Sequence, residues 1–114
     1  MNGRTEFVAK NNHIKATAWD ALDILCEIIE ASGVKECSCN ISSGLKTMSI
    51  NHYNYGVWIN FASGIIFNLY DYRDKNCNAT PGLVGEFKLR GDPRSPTSNI
   101  TTIASKIIKI IKQK

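Results

Sequence analysis

The chain of 114 residues is poor in proline, with three, and in histidine, with two, and it holds only four cysteines. Each shortage excludes something. With so little proline there is no rigid or low-complexity linker to divide the chain, so a single domain over residues 1–114 is expected. Cys26, Cys37, Cys39 and Cys77 form no CxxC pair, and Cys37 and Cys39 are spaced to lie on one side of a strand. Together with only His13 and His52 this is a poor set for a closed zinc site, and no metal or other cofactor is expected. No apolar run approaches the roughly 20 residues needed to cross a bilayer, so a membrane partner is not expected. The opening "MNGRTEFVAK" lacks the apolar stretch of an export signal. The expectation is a cytoplasmic protein with reduced thiols. On that view the Asn-x-Ser/Thr triplets at Asn40, Asn78 and Asn99, and the "RGD" at Arg90–Asp92, carry no function. A phosphate-cradling loop is also missing, because "GLVGEF" has no lysine and no strand-to-helix context.

What is present patterns well. Residues 1–12 are polar apart from Phe7 and Val8 and read as a flexible arm or a short edge strand. From about Thr17 to Ser32, Trp19, Leu22, Cys26 and Ile29 recur at helical spacing, with Leu25 and Ile28 widening the stripe. Asp20, Asp23, Glu27 and Glu30 form an acidic stripe beside it, and Gly33 serves as the left-handed cap. The period then changes to two. Cys37, Cys39 and Ile41 alternate with polar residues, "SSG" turns the chain, and Leu45–Ile50 makes a second short strand. Val57, Ile59 and Phe61, then Ile65, Phe67 and Leu69, make a hairpin about "ASG". A loop, "RDKNCNATPG", leads to a last strand with Phe87 and Leu89 on one side. A second loop leads to a final helix from about Asn99 to Lys112, N-capped by Thr97 or Ser98.

The expected fold class is therefore α+β, in α-β-β-β-β-α order. An antiparallel sheet of three to five strands carries an N-terminal and a C-terminal helix packed on one face. Val57, Ile59, Phe61, Ile65, Phe67, Leu69, Phe87 and Leu89 form its core side. The opposite parity holds Trp58, Asn60, Ile66, Asn68, Tyr70, Tyr72, Glu86, Lys88 and Arg90. A solvated face reads as Thr, Lys, Glu and Ser. This one mixes rigid aromatics with asparagines, as recognition surfaces do. Trp58, Asn60, Asn68, Tyr70, Tyr72, Lys88 and Arg90 are thus the candidate partner-binding residues. A protein partner is the first expectation, and a homodimer packed sheet to sheet is another way to cover the same face.

Charge divides the chain. Residues 1–57 carry a net −1 and residues 58–114 a net +5. Lys88, Arg90 and the lysine stripe of the last helix (Lys106, Lys109, Lys112) make nucleic acid the alternative partner. The abundance of Asn, Ile and Lys (11, 15 and 10 residues) matches AT-rich genes, which are common in phages and mobile elements. By that association the expected function is a non-enzymatic accessory or inhibitory factor that binds a host macromolecule.

Two family resemblances bear on function. "EFK" at Glu86–Lys88 on a late strand, in this element order, resembles the PD-(D/E)xK nuclease core. That resemblance implies Mg²⁺-dependent cleavage, with Glu86 and Asp71 or Asp74 on the metal, Lys88 near the attacking water and Glu27 or Glu30 as the helix acid. The resemblance covers about half of the chain, and Asp71 closes its apolar strand where that family's aspartate opens one. The element order is also similar to a double-stranded-RNA-binding domain. There the last helix opens with clustered lysines, whereas this one opens "SNITTIAS".

Overall fold

The computed structural model describes residues 3–73 and 82–112. Helix α1 (Gly3–Ala31) is followed by strands β1 (Ser38–Ser42), β2 (Leu45–Ile50), β3 (Tyr55–Asn60), β4 (Ile66–Asp71) and β5 (Gly82–Lys88), and then by helix α2 (Ile100–Lys112). The strands form one antiparallel sheet in the order β1-β2-β3-β4-β5. The expected architecture is borne out, with the segment from Leu45 to Ile50 realised as a full strand, which brings the sheet to five.

α1 begins at Gly3 rather than near Thr17, so the edge strand considered for residues 1–12 does not form. Between Gly3 and Gly33 the sequence has neither glycine nor proline, so a helix started by the apolar stripe meets no breaker toward its N-terminus. It ends as expected: Gly33, at φ 99°, donates to the Glu30 carbonyl. α2 is entered through Ser98, whose Oγ accepts the Ile100 N–H at 3.3 Å. Asn99 ties the same point to β5, accepting from the Arg90 N–H (2.8 Å) and donating to the Lys88 carbonyl (2.9 Å).

α1 packs on β1 and β2, α2 packs on β5, and the helices pack on each other. One core results, joining Leu22, Leu25 and Ile29 of α1 to Met48, Ile50, Val57, Phe67 and Leu69 of the sheet and Ile103 and Ile107 of α2. Ile59, Ile65 and Phe87 pack at its margin. Lys46 closes its open end: the ammonium bonds Asp23 at 2.7 Å and the Trp19 carbonyl at 3.3 Å, while the aliphatic stem stays covered.

Three local expectations are corrected. Phe61 is 45% exposed, not core. β3 ends at Asn60, whose Oδ1 accepts the Ala62 N–H (2.8 Å) and starts the turn, so strand alternation no longer directs Phe61 inward. Ile41 is exposed although Cys37 is buried. Its register partner is Lys46, at the margin that Lys46 closes. The last strand runs Gly82–Lys88 rather than Glu86–Arg90, because a register shift after Leu69 lets Tyr70 and Asp71 pair with Leu83 and Gly82. Most of the loop "RDKNCNATPG", with Asp74, Cys77 and Asn78, lies outside the described residues.

Phe67 is fully buried and Phe61 is not. Phe67→Ala should therefore cost roughly 3–5 kcal/mol in denaturant unfolding, and Phe61→Ala under about 1 kcal/mol. Equal losses at the two positions would contradict the strand phase.

Candidate binding face

Both helices bury the same face of the sheet, so the opposite face is defined by register alone. Across it run the rows Asn40–Thr47–Trp58–Asn68–Glu86 and Ser38–Ser49–Gly56–Tyr70. The second row is small at Ser38, Ser49 and Gly56, while its neighbour carries Trp58. A groove of about 310 Å³ follows, lined by Asn40, Thr47, Ser49, Gly56, Trp58, Tyr53 and Tyr72, with Met48 and Tyr55 also contributing.

Gly56 sets the groove's inner wall. The Tyr72 ring lies over it so closely that a Cβ at position 56 would stand 2.5 Å from a ring carbon. From there the Tyr72 hydroxyl accepts the Trp58 indole N–H at 2.7 Å, and the Tyr70 ring sits 6.4 Å away, centroid to centroid. Trp58 nevertheless remains 43% exposed. One aromatic wall is thus fixed by a hydrogen bond and still open to solvent.

The outer wall is Tyr53. It sits in the β2–β3 turn, where Asn51, His52 and Tyr53 take φ of 56°, 57° and 66° in succession. Left-handed backbone is ordinary for Asn but uncommon for Tyr. The turn holds the Tyr53 ring out at 68% exposure, and His52 Nδ1 lies 3.6 Å from Glu36 at its base.

The predicted residues divide into three groups. Trp58, Tyr70 and Tyr72 meet on the open face. Asn60 and Asn68 are not open amides in the way expected: Asn60 Oδ1 accepts the Ala62 N–H in the turn, and Asn68 is buried with its Oδ1 unpartnered among the described residues. Lys88 and Arg90 stand apart, around a cleft of about 330 Å³ with Glu86, Asn99, Thr102 and Lys106, between β5 and the start of α2. Tyr53, Thr47, Ser49 and Asn40 were not singled out from sequence. The available signals were "NHYN", rich in residues that tolerate left-handed backbone, and a glycine inside a strand at "YGVW".

Among the described residues, which exclude Asp74, the nuclease constellation is not assembled. Glu86 pairs with Asn68 while Asp71 pairs with Gly82, at the other end of β4 and of opposite face parity. Asp71 is bound by Arg73 at 2.6 Å. Glu27 and Glu30 are on α1, across the sheet. Among the described residues no group of His, Cys, Asp or Glu could hold a metal ion, and no helix is long and apolar enough to cross a membrane. No protein-family model, curated protein or solved structure matches the chain.

A buried amide oxygen without a donor destabilises by about 1–3 kcal/mol. Asn68→Leu, similar in shape, should therefore raise stability by about 1 kcal/mol or more in urea unfolding. A loss of that size would mean that Oδ1 has a partner in solution.

Proposed function

We propose that this is a non-enzymatic binding protein that grips another protein through the open sheet face, with the Trp58–Tyr72–Tyr53 groove receiving an apolar side chain of the partner. The observation that carries this reading is a preformed aromatic groove with no charged side chain in its lining. Rigid aromatics fixed before binding lose little entropy on contact, and a depression of this size suits one large anchor residue.

The separation of the basic residues favours protein over nucleic acid. Binding to single strands needs cations tracking the phosphates beside the stacking rings. Here Lys88, Arg90 and Lys106 surround the cleft beside α2 instead. The AT-rich composition supports a role as an accessory or inhibitory factor of a phage or mobile element, with a host protein as the partner.

Capture from host lysate, with nucleic acid digested in a parallel sample, tests the reading when run on wild type and variants. A protein retained after digestion, and lost with Trp58→Ala or Tyr53→Ala but not with Lys88→Ala, supports it. Against the purified partner each aromatic variant should weaken binding by about 2 kcal/mol or more, with thermal stability nearly unchanged. Bands lost on digestion, or on Lys88→Ala and Arg90→Ala alone, would transfer the function to nucleic acid. A wild-type dimer that Trp58→Ala dissociates would make the occupant a second copy.

A further inference from the structure

Behind the groove, on the helix side of the same strands, three cysteines come together: Cys26 of α1, Cys37 just before β1, and Cys39 within it. Cys26 and Cys37 are nearly buried, and their sulfurs stand 3.3 Å apart. The Cys37 sulfur also lies 3.4 Å from Met48 Sδ, so apolar packing holds it in place. The turn at Glu36, left-handed at φ 56°, brings the chain back over α1 and sets Cys37 against Cys26. Cys39 is more exposed; its sulfur lies 3.8 Å from the Leu22 carbonyl and also neighbours Cys26, so the test below removes it.

We propose that Cys26 and Cys37 are a modification site: a hydroperoxide converts them to a reversible disulfide that ties the end of α1 to the start of β1. Closing the present separation to an S–S bond of about 2.05 Å needs a shift of about 1.3 Å, within the reach of side-chain rotation and small backbone adjustment. One sulfur, as thiolate, attacks a peroxide oxygen. An S–O bond forms, the O–O bond breaks, and the leaving hydroxide takes a proton to become water. The second sulfur, losing its proton, attacks the sulfenyl sulfur; the S–S bond forms, the S–O bond breaks and a second water departs. Two thiols lose two electrons, and one hydrogen peroxide gains them to give two waters.

The pair is a slow responder rather than a catalyst. Burial pushes both thiols above their ordinary range, and burial likewise pushes Cys39 up to about 12. Once formed, the bond is shielded by the same packing. It crosslinks α1 to the strand beside the groove's outer edge, where Asn40, Thr47 and Ser49 stand.

The test treats the intact protein, and a Cys39→Ala/Cys77→Ser variant that keeps only the proposed pair, with hydrogen peroxide. Remaining thiols are then alkylated and tryptic peptides are mapped. Trypsin cuts after Lys35, between the two cysteines, so a Cys26–Cys37 link joins two separate peptides. The expected result is that link in both proteins, both thiols of the variant lost together, and a midpoint of thermal unfolding raised on the order of 10 °C and restored by dithiothreitol. The proposal is overturned if both thiols of the variant survive once Cys39 of the wild type has reacted. Sulfinic or sulfonic acids without a link, or a link that leaves the unfolding midpoint unchanged or lower, also overturn it.

Discussion

Two helices cover one face of a five-stranded antiparallel sheet, and the rest of this structure depends on how the other face is managed. A sheet presents two faces to its surroundings, and a single layer of helices can bury only one. The strands answer this on the buried side with Met48, Ile50, Val57, Phe67 and Leu69, fully covered by α1 and α2. On the open side they place no continuous apolar layer. Its large rings are instead held locally: Tyr72 on Gly56, Trp58 on the Tyr72 hydroxyl, Tyr53 on a left-handed turn. The first two devices order an aromatic side chain without a second layer above it, and the turn leaves the Tyr53 ring exposed.

Local order without cover has an energetic signature. Tyr53 occupies backbone that costs a non-glycine residue on the order of 1 kcal/mol. Asn68 buries a carbonyl oxygen that makes no bond among the described residues. Both features stand on the open face or its rim, while Glu36 and Ser43 carry left-handed backbone in other turns.

Much of this was legible in the chain because two periods are unambiguous. The α1 stripe from Trp19 to Ile29 and the alternation from Val57 to Leu69 each identify a buried side, and both hold except at Phe61. What was not legible depends on contacts between distant segments. Phe61 continues the alternation in sequence, but the Asn60 side chain ends β3 one residue earlier. Ile41 has the parity of Cys37, but that side of the sheet is closed by Lys46 at that point. No glycine or proline falls between Gly3 and Gly33, so no breaker in the sequence stops α1 near Thr17. For the site, parity identified Trp58, Tyr70 and Tyr72. It could not show that Asn60 and Asn68 are engaged or buried, nor that Lys88 and Arg90 line a cleft beside the start of α2, since those outcomes rest on contacts across strands. Tyr53 escaped because a turn residue has no parity to read.

A partner can reach Trp58 only if the ring is open to solvent in the free protein, and fluorescence quenching measures that directly. In a Trp19→Phe variant Trp58 is the sole indole. Acrylamide and iodide should both quench its emission readily, with the same constants across a hundredfold range of protein concentration, and guanidinium unfolding should increase quenching only modestly. A Trp58 that resists quenching until the protein unfolds, or that becomes shielded as concentration rises, would show that the face is covered within the molecule or by a second copy and would contradict the account.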